Sequence, residues 1–193
     1  LMESIHIADG NDGKKNRDAI PSILSNALAV SFDNNIGHDY LQNYEGRYEF
    51  YHRKEDKIEF DLEYFNKITK DGLPNKTLNI ALAGTGVGKS LFMCHVASSA
   101  LLQGRNVLYI TLEMAEERIA ERIDANLLNV PIQDIAELPK SMFESKVNNL
   151  AKKTQGTLII KEYPTASAHA GHFKSLLNEL ALKKSFRPDI IFI

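Results

Sequence analysis

The chain has a single cysteine, Cys94, in 193 residues. That excludes a disulfide framework and any CxxC metal site, and it fits a reducing cytosolic compartment. No apolar run approaches the length of a membrane span, and no leader with a charged start and apolar middle is visible. A cytoplasmic protein with no membrane partner is therefore expected. Neither sign of charge dominates: 23 Lys and Arg stand against 25 Asp and Glu, for a net charge of −2. Without a basic tail, contact with a nucleic acid must come from local loops rather than the bulk field. Internal repeats and low-complexity tracts are also missing. Metal-ligand clusters are equally scarce. His169 and His172 share a helical face at i, i+3, but two ligands without a neighbouring Cys or carboxylate cluster make core or capping histidines the better reading.

The hydrophobic fraction of 44% is enough for one medium domain with an appended segment. The chain begins at Leu1 and stops inside the apolar run Ile190–Ile193, so a fragment of a longer protein is expected. Residues 9–17 (DGNDGKKNR) read as a polar linker. Ile20, Ile23, Leu24, Ala27 and Leu28 then recur at helical spacing, with Asp18 and Pro21 at the start, which predicts an amphipathic helix over about 19–32. Residues 37–66 mix aromatics with charges and carry no clear period.

A regular rhythm follows. Apolar runs at Leu78–Ala83, Val107–Leu112, Leu158–Lys161 and Ile190–Ile193 read as buried strands. They alternate with helical stretches at 90–103, 116–128, 140–153 and 169–184. Such alternation predicts an α/β fold with a parallel sheet covered on both faces. Met93, Val96, Ala97, Ala100 and Leu101 form a core-facing stripe on the first of these helices.

Between the first run and that helix lies LAGTGVGKSL, residues 82–91. Within it, AGTGVGKS (83–90) has the spacing of a phosphate-binding loop, with Ala83 where the stricter pattern has glycine. Gly84, Gly86 and Gly88 permit positive φ values that turn successive N–H groups inward, and the following helix adds its own free N–H groups and dipole. Lys89 is placed to reach the β- and γ-phosphates, and the Ser90 hydroxyl to ligate Mg²⁺. Ala83, Gly84, Thr85, Gly86, Val87, Gly88, Lys89, Ser90 and Leu91 thus form the expected nucleotide-binding segment, with ATP or GTP as substrate. Glu113, in LYITLEM, falls just past the second apolar run, at the end of a strand where ligands of open parallel sheets sit. A carboxylate there can polarise a water for attack on the γ-phosphate; the plainer alternative is a first-turn acid of the next helix.

Taken with LYITLEMAEERIAERIDAN, TLIIKEYPTASAHAGHFKSLLNEL and FDLEYFNKITKDGLPNKTL, the loop resembles the ring-shaped replicative DNA helicases of the DnaB type, in particular those of T4-like bacteriophages. The resemblance implies a RecA-like P-loop NTPase core, a hexameric ring, and NTP-driven movement on single-stranded DNA. It also implies DNA primase and a helicase-loading protein as partners, and the host bacterial cytoplasm as the place of action. By motif match, Lys89 and Ser90 carry over as phosphate and Mg²⁺ contacts and Glu113 as the water-activating residue, making Lys89 and Glu113 the expected catalytic pair. The family's second acidic motif, DNA-contacting loops and arginine finger would fall beyond Ile193, so the core is expected to be incomplete at its C-terminus and inactive alone. The resemblance divides the chain into a linker segment, 1–58, and the N-terminal part of the helicase core, 59–193. It also implies that the helix over 19–32 docks on a neighbouring subunit. Arg122, at a position where the family often has arginine, is otherwise a residue of a solvated helix face. Two other functions share the loop: a RecA-family recombinase or regulatory ATPase, and a non-catalytic nucleotide-binding and subunit-docking module.

Overall fold

The computed structural model describes residues 2–10, 19–29, 37 and 39–193. The chain divides into two compact units, Leu1–Lys54 and Glu55–Ile193. In the first, helix α1 (Met2–Ala8) contacts helix α2 (Ile20–Ala29), and α3 (Tyr44–His52) follows. The helix expected over 19–32 is thus present as α2, while 30–32 and most of the polar stretch before it, residues 11–18, lie outside the described residues. The aromatic segment without a period contains α3, which carries no buried residue and leaves Tyr44, Tyr48, Phe50 and Tyr51 exposed.

The second unit opens with a two-residue hairpin ladder, β1 (Lys57–Ile58) against β2 (Leu73–Pro74), enclosing α4 (Glu63–Thr69). This flap is held on the next helix, α5 (Lys89–Leu102), by aromatic packing of Phe65 on Phe60 and Phe92, with ring centroids 5.3 and 5.2 Å apart. Gln103 donates to the Glu59 carbonyl at 2.8 Å, and the Arg105 guanidinium forks onto Asp56 at 2.8 and 2.7 Å. That pairing holds the Asp56 carboxyl below its usual range.

The core is a parallel three-stranded sheet in the order β4 (Leu158–Glu162), β3 (Val107–Thr111), β5 (Ile190–Phe192). Val107 pairs with Leu158 on one side and Ile190 on the other. Every residue of β3 is buried, and the two-residue strand period sorts them between two layers. Val107 and Tyr109 face a cluster with Cys94, Val96, Ala97, Ala100 and Leu101 of α5 and Ile119 and Ile123 of α6 (Glu116–Leu127). Leu108 and Ile110 face Leu180 of α8 (Ala170–Lys184) and Phe186. Helices therefore cover both faces, as a continuous apolar strand run demands. The stripe on α5 is core, with Met93 partly buried at its margin. A 3-10 turn (Ile132–Glu137) and α7 (Lys140–Ala151) complete the unit.

One expected strand is not formed. Residues 78–83 have no ladder partner, and Leu78, Ile80 and Leu82 are 87%, 79% and 94% exposed. An apolar run states a demand for burial, but a strand exists only where a second backbone supplies its hydrogen bonds. Among the described residues, β5 is three residues long and is paired along one side only, with β3.

Candidate nucleotide site

The loop's shape comes from its own residues. Gly86 and Gly88 take φ of 75° and 106°, values an L side chain rarely adopts, and a Cβ on either would meet open space, whereas Gly84, expected to share this role, does not take a positive φ. Their requirement is dihedral rather than steric. Gly88 is the N-cap of α5, with no side-chain cap. The first helical bond runs from the Phe92 N–H to the Gly88 carbonyl at 2.9 Å, so the N–H groups of Lys89, Ser90 and Leu91 precede the ladder. Lys89 Nζ donates to the carbonyls of Ala83 and Gly84, both at 3.1 Å, closing the loop on itself. Thr85, Val87 and Leu91 are exposed and Ser90 half-buried. The side chains of 83–90 offer an ammonium and hydroxyls and no carboxylate, so this donor set fits a polyphosphate and its divalent cation. The context is half that expected: the loop opens a helix, but no strand leads directly into it, since residues 77–84 are irregular.

Glu113 reaches the same end of the sheet by a different route. Helix α5 returns to β3 through the short connection 103–106, so the two run in opposite directions. Cys94 Sγ lies 4.0 Å from the Tyr109 hydroxyl, which fixes their levels. From that contact, Lys89 lies five residues back along α5, roughly 7–8 Å at 1.5 Å per residue. Glu113 lies four residues on, past the carboxyl end of β3. Both therefore stand on the carboxyl side of the sheet, where an open α/β sheet presents its ligand crevice. Glu113 is exposed, and among the described residues no hydrogen bond or ion pair holds its carboxylate.

The supports of the Glu113 turn carry no motif signature in the sequence. Thr111 Oγ1 donates to the Met114 carbonyl at 2.8 Å and accepts from the Met114 N–H at 3.1 Å. The Tyr163 N–H donates to the Thr111 carbonyl at 2.9 Å, and Thr165 Oγ1 to the Leu112 carbonyl at 3.1 Å. Glu162 Oε2 accepts from the Glu116 N–H at 3.1 Å, while Glu116 Oε2 accepts from the Glu162 N–H at 3.2 Å.

Other sequence candidates separate from this site. His169 and His172 cap α8: Nδ1 of His169 accepts from the Gly171 N–H at 3.0 Å, and the His169 N–H donates to His172 Nδ1 at 3.2 Å. Among the described residues no group of three or more His, Cys, Asp or Glu could hold a metal ion. Arg122 is half-buried near Cys94 and Tyr109, where its charge favours their ionised forms, but burial outweighs it and pushes both groups up. Cys94 is thus a packed thiol rather than a nucleophile. Among the described residues no helix is long and apolar enough to cross a membrane.

Comparison with known proteins identifies a family over a span that contains this site. Residues 58–186 match the DnaB-like helicase C terminal domain. The DnaB-like replicative helicase of Enterobacteria phage T4 is 48% identical over 178 residues, which are 91% of this chain and 38% of that protein. The DNA repair protein RadA of Campylobacter jejuni is 29% identical over 118 residues, 54% of this chain and 25% of RadA. The chain thus spans well under half the length of either relative.

Proposed function

The chain belongs to the DnaB-like helicase C-terminal domain family, and from that premise we propose that it carries the NTP-hydrolysing site of a replicative DNA helicase that moves along single-stranded DNA. The observation that carries this reading is the 83–90 loop: two positive-φ glycines, an uncapped α5 N-terminus and the Lys89 ammonium, all in one cradle. In the proposed reaction the loop N–H groups and Lys89 bind and neutralise the β- and γ-phosphates of ATP or GTP. The Ser90 hydroxyl would hold Mg²⁺, which when bound supplies positive charge against the phosphate oxygens. Glu113 accepts a proton from the water that attacks the γ-phosphorus, as the bond from that phosphorus to the β–γ bridging oxygen breaks and the nucleoside diphosphate leaves with that oxygen.

In the full-length protein that carries this chain, Glu113→Gln should leave nucleotide bound while hydrolysis and unwinding fall by on the order of 10²-fold or more. Lost binding with unchanged turnover per bound nucleotide would make Glu113 structural. The similarity to a DNA repair protein over 54% of the chain supports a second reading, a RecA-family recombinase or regulatory ATPase; strand exchange without unwinding would favour it.

The same reading places the chain in a homo-oligomeric ring, expected to be hexameric, with DNA primase and a loading protein as partners in the host cytoplasm. In it, residues 1–58 are the linker segment and α2 docks on a neighbouring subunit. Ile23 and Leu24 of α2 are half-buried, so burying the rest on docking is worth less than the roughly 1.5–3 kcal/mol of a fully buried side chain, and Ile23→Ser with Leu24→Ser should shift the protein toward monomers. Unchanged oligomers in sedimentation, with a loosened fold, would show that α2 packs only within its own unit.

A further inference from the structure

We infer that Glu162, with Thr165 beside it, is a positioning residue for Glu113: β4 and the loop after it hold the turn that aims the water-activating carboxylate. The inference rests on the proposed role of Glu113. Residues 112–115 form neither strand nor helix, so nothing periodic sets the direction of the Glu113 side chain. Its immediate neighbours are instead pinned from outside. Leu112 is held through its carbonyl by Thr165, Met114 at both its N–H and carbonyl by Thr111, and Glu116 through its N–H by Glu162.

The Glu162 contact differs from the others in being reciprocal. Each of the two glutamates accepts from the other's backbone N–H, so the end of β4 and the start of α6 are locked by a two-bond ring. Helix α6 has Ala115 as its N-cap and no side-chain cap of its own. Glu162 supplies that missing acceptor from 46 residues away. A carboxylate accepting from the first N–H of a helix is charge-assisted and directional. It fixes where the helix begins, and with it where the turn ahead of the helix must run. Glu113 is free at its carboxylate but clamped on both sides along the chain, which is the arrangement a general base needs: an available oxygen on an immobile mount.

The test uses the full-length protein that carries this chain, with single-stranded DNA, and reads kcat, KM for the nucleotide, and nucleotide affinity. Glu162→Ala should lower kcat about 10-fold while KM and affinity stay within about 2-fold. Glu162→Gln, which keeps a carbonyl acceptor, should restore kcat to within about 3-fold of the parent. Because Glu162 acts through Glu113, adding Glu162→Ala to Glu113→Gln should cause no further fall in rate. Thr165→Val removes only an exposed hydroxyl and should lower kcat about 3-fold, again with no effect in the Glu113→Gln background; it decides the matter if Glu162→Ala does not fold. An unchanged kcat in these variants, or an equal loss with and without Glu113→Gln, would overturn the inference. Wild-type turnover in Glu113→Gln alone would instead remove the role proposed for Glu113, and this inference with it.

Discussion

The two halves of the candidate site, the 83–90 loop and the 112–115 turn, present their chemistry at the same end of one sheet yet are built in opposite ways. The loop is self-contained. Its cradle uses the φ angles of Gly86 and Gly88, the first N–H groups of its own helix, and a lysine bonded to carbonyls five and six residues back. The turn borrows its geometry from Thr111, Glu162 and Thr165, the last two from a different strand and the loop behind it. Binding can therefore be local while turnover is a tertiary property, and substitutions should separate the two.

The largest effect on binding should come from Lys89→Ala, which removes the cradle's cation. Triphosphate affinity should fall about 10–10²-fold by direct binding measurement, as expected for a charge-assisted contact. Lys140→Ala is the control, since Lys140 is exposed on α7 and pairs with Glu144 at 3.7 Å. Equal losses from the two would remove the loop's distinct status.

A smaller effect on the other half should follow Thr111→Val. This near-isosteric change deletes both bonds to Met114 at a buried position. We expect kcat to fall about 3–10-fold in a steady-state assay of the full-length protein, with nucleotide affinity unchanged. A loss of affinity of the same size would mean that loop and turn are one mechanical unit, ending the contrast.

The smallest effect concerns the helix on which the turn leans. Burial pushes the Asp124 carboxyl on α6 above its usual range. For such an acid the fold favours the neutral form. Its contribution is fully present below the unfolded pKa of about 4 and is lost as pH rises through the folded value. Asp124→Asn should therefore raise stability in denaturant melts at pH 7 by under about 1 kcal/mol, with the gain shrinking to nothing below about pH 4. A gain that persists in acid would assign the effect to something other than ionisation.

Much of the architecture was legible in the sequence because it rests on short-range rules. Helix α5 begins at Lys89 and ends ahead of Gly104, which takes φ of 80°; the glycines mark both ends. Helix α6 follows from Ile119 and Ile123 on one face and two glutamates in the first turn. Strand β3 follows from an apolar run flanked by polar residues. The hairpin β1–β2, the 3-10 turn and α3 were not legible, since two-residue ladders and exposed aromatic helices leave no period to detect. Residues 78–83 show the converse, a strong apolar signal with no ladder to join.

What the sequence determined by itself is whatever eight or so contiguous residues can enforce. That covers a glycine-rich cradle, an uncapped helix start and an ammonium within reach of both; repeated along the chain, such local signals also give the alternation of runs and helices that makes an α/β fold with a parallel sheet. What only the tertiary structure decided are the bonds between distant residues: Glu116 with Glu162 across 46 positions, and Leu112 with Thr165 across 53. Local dihedral preferences act within a turn or two of chain and so leave a periodic trace. Hydrogen bonds between strand ends depend on which strands become neighbours and in what register, and no periodicity along the chain records that choice.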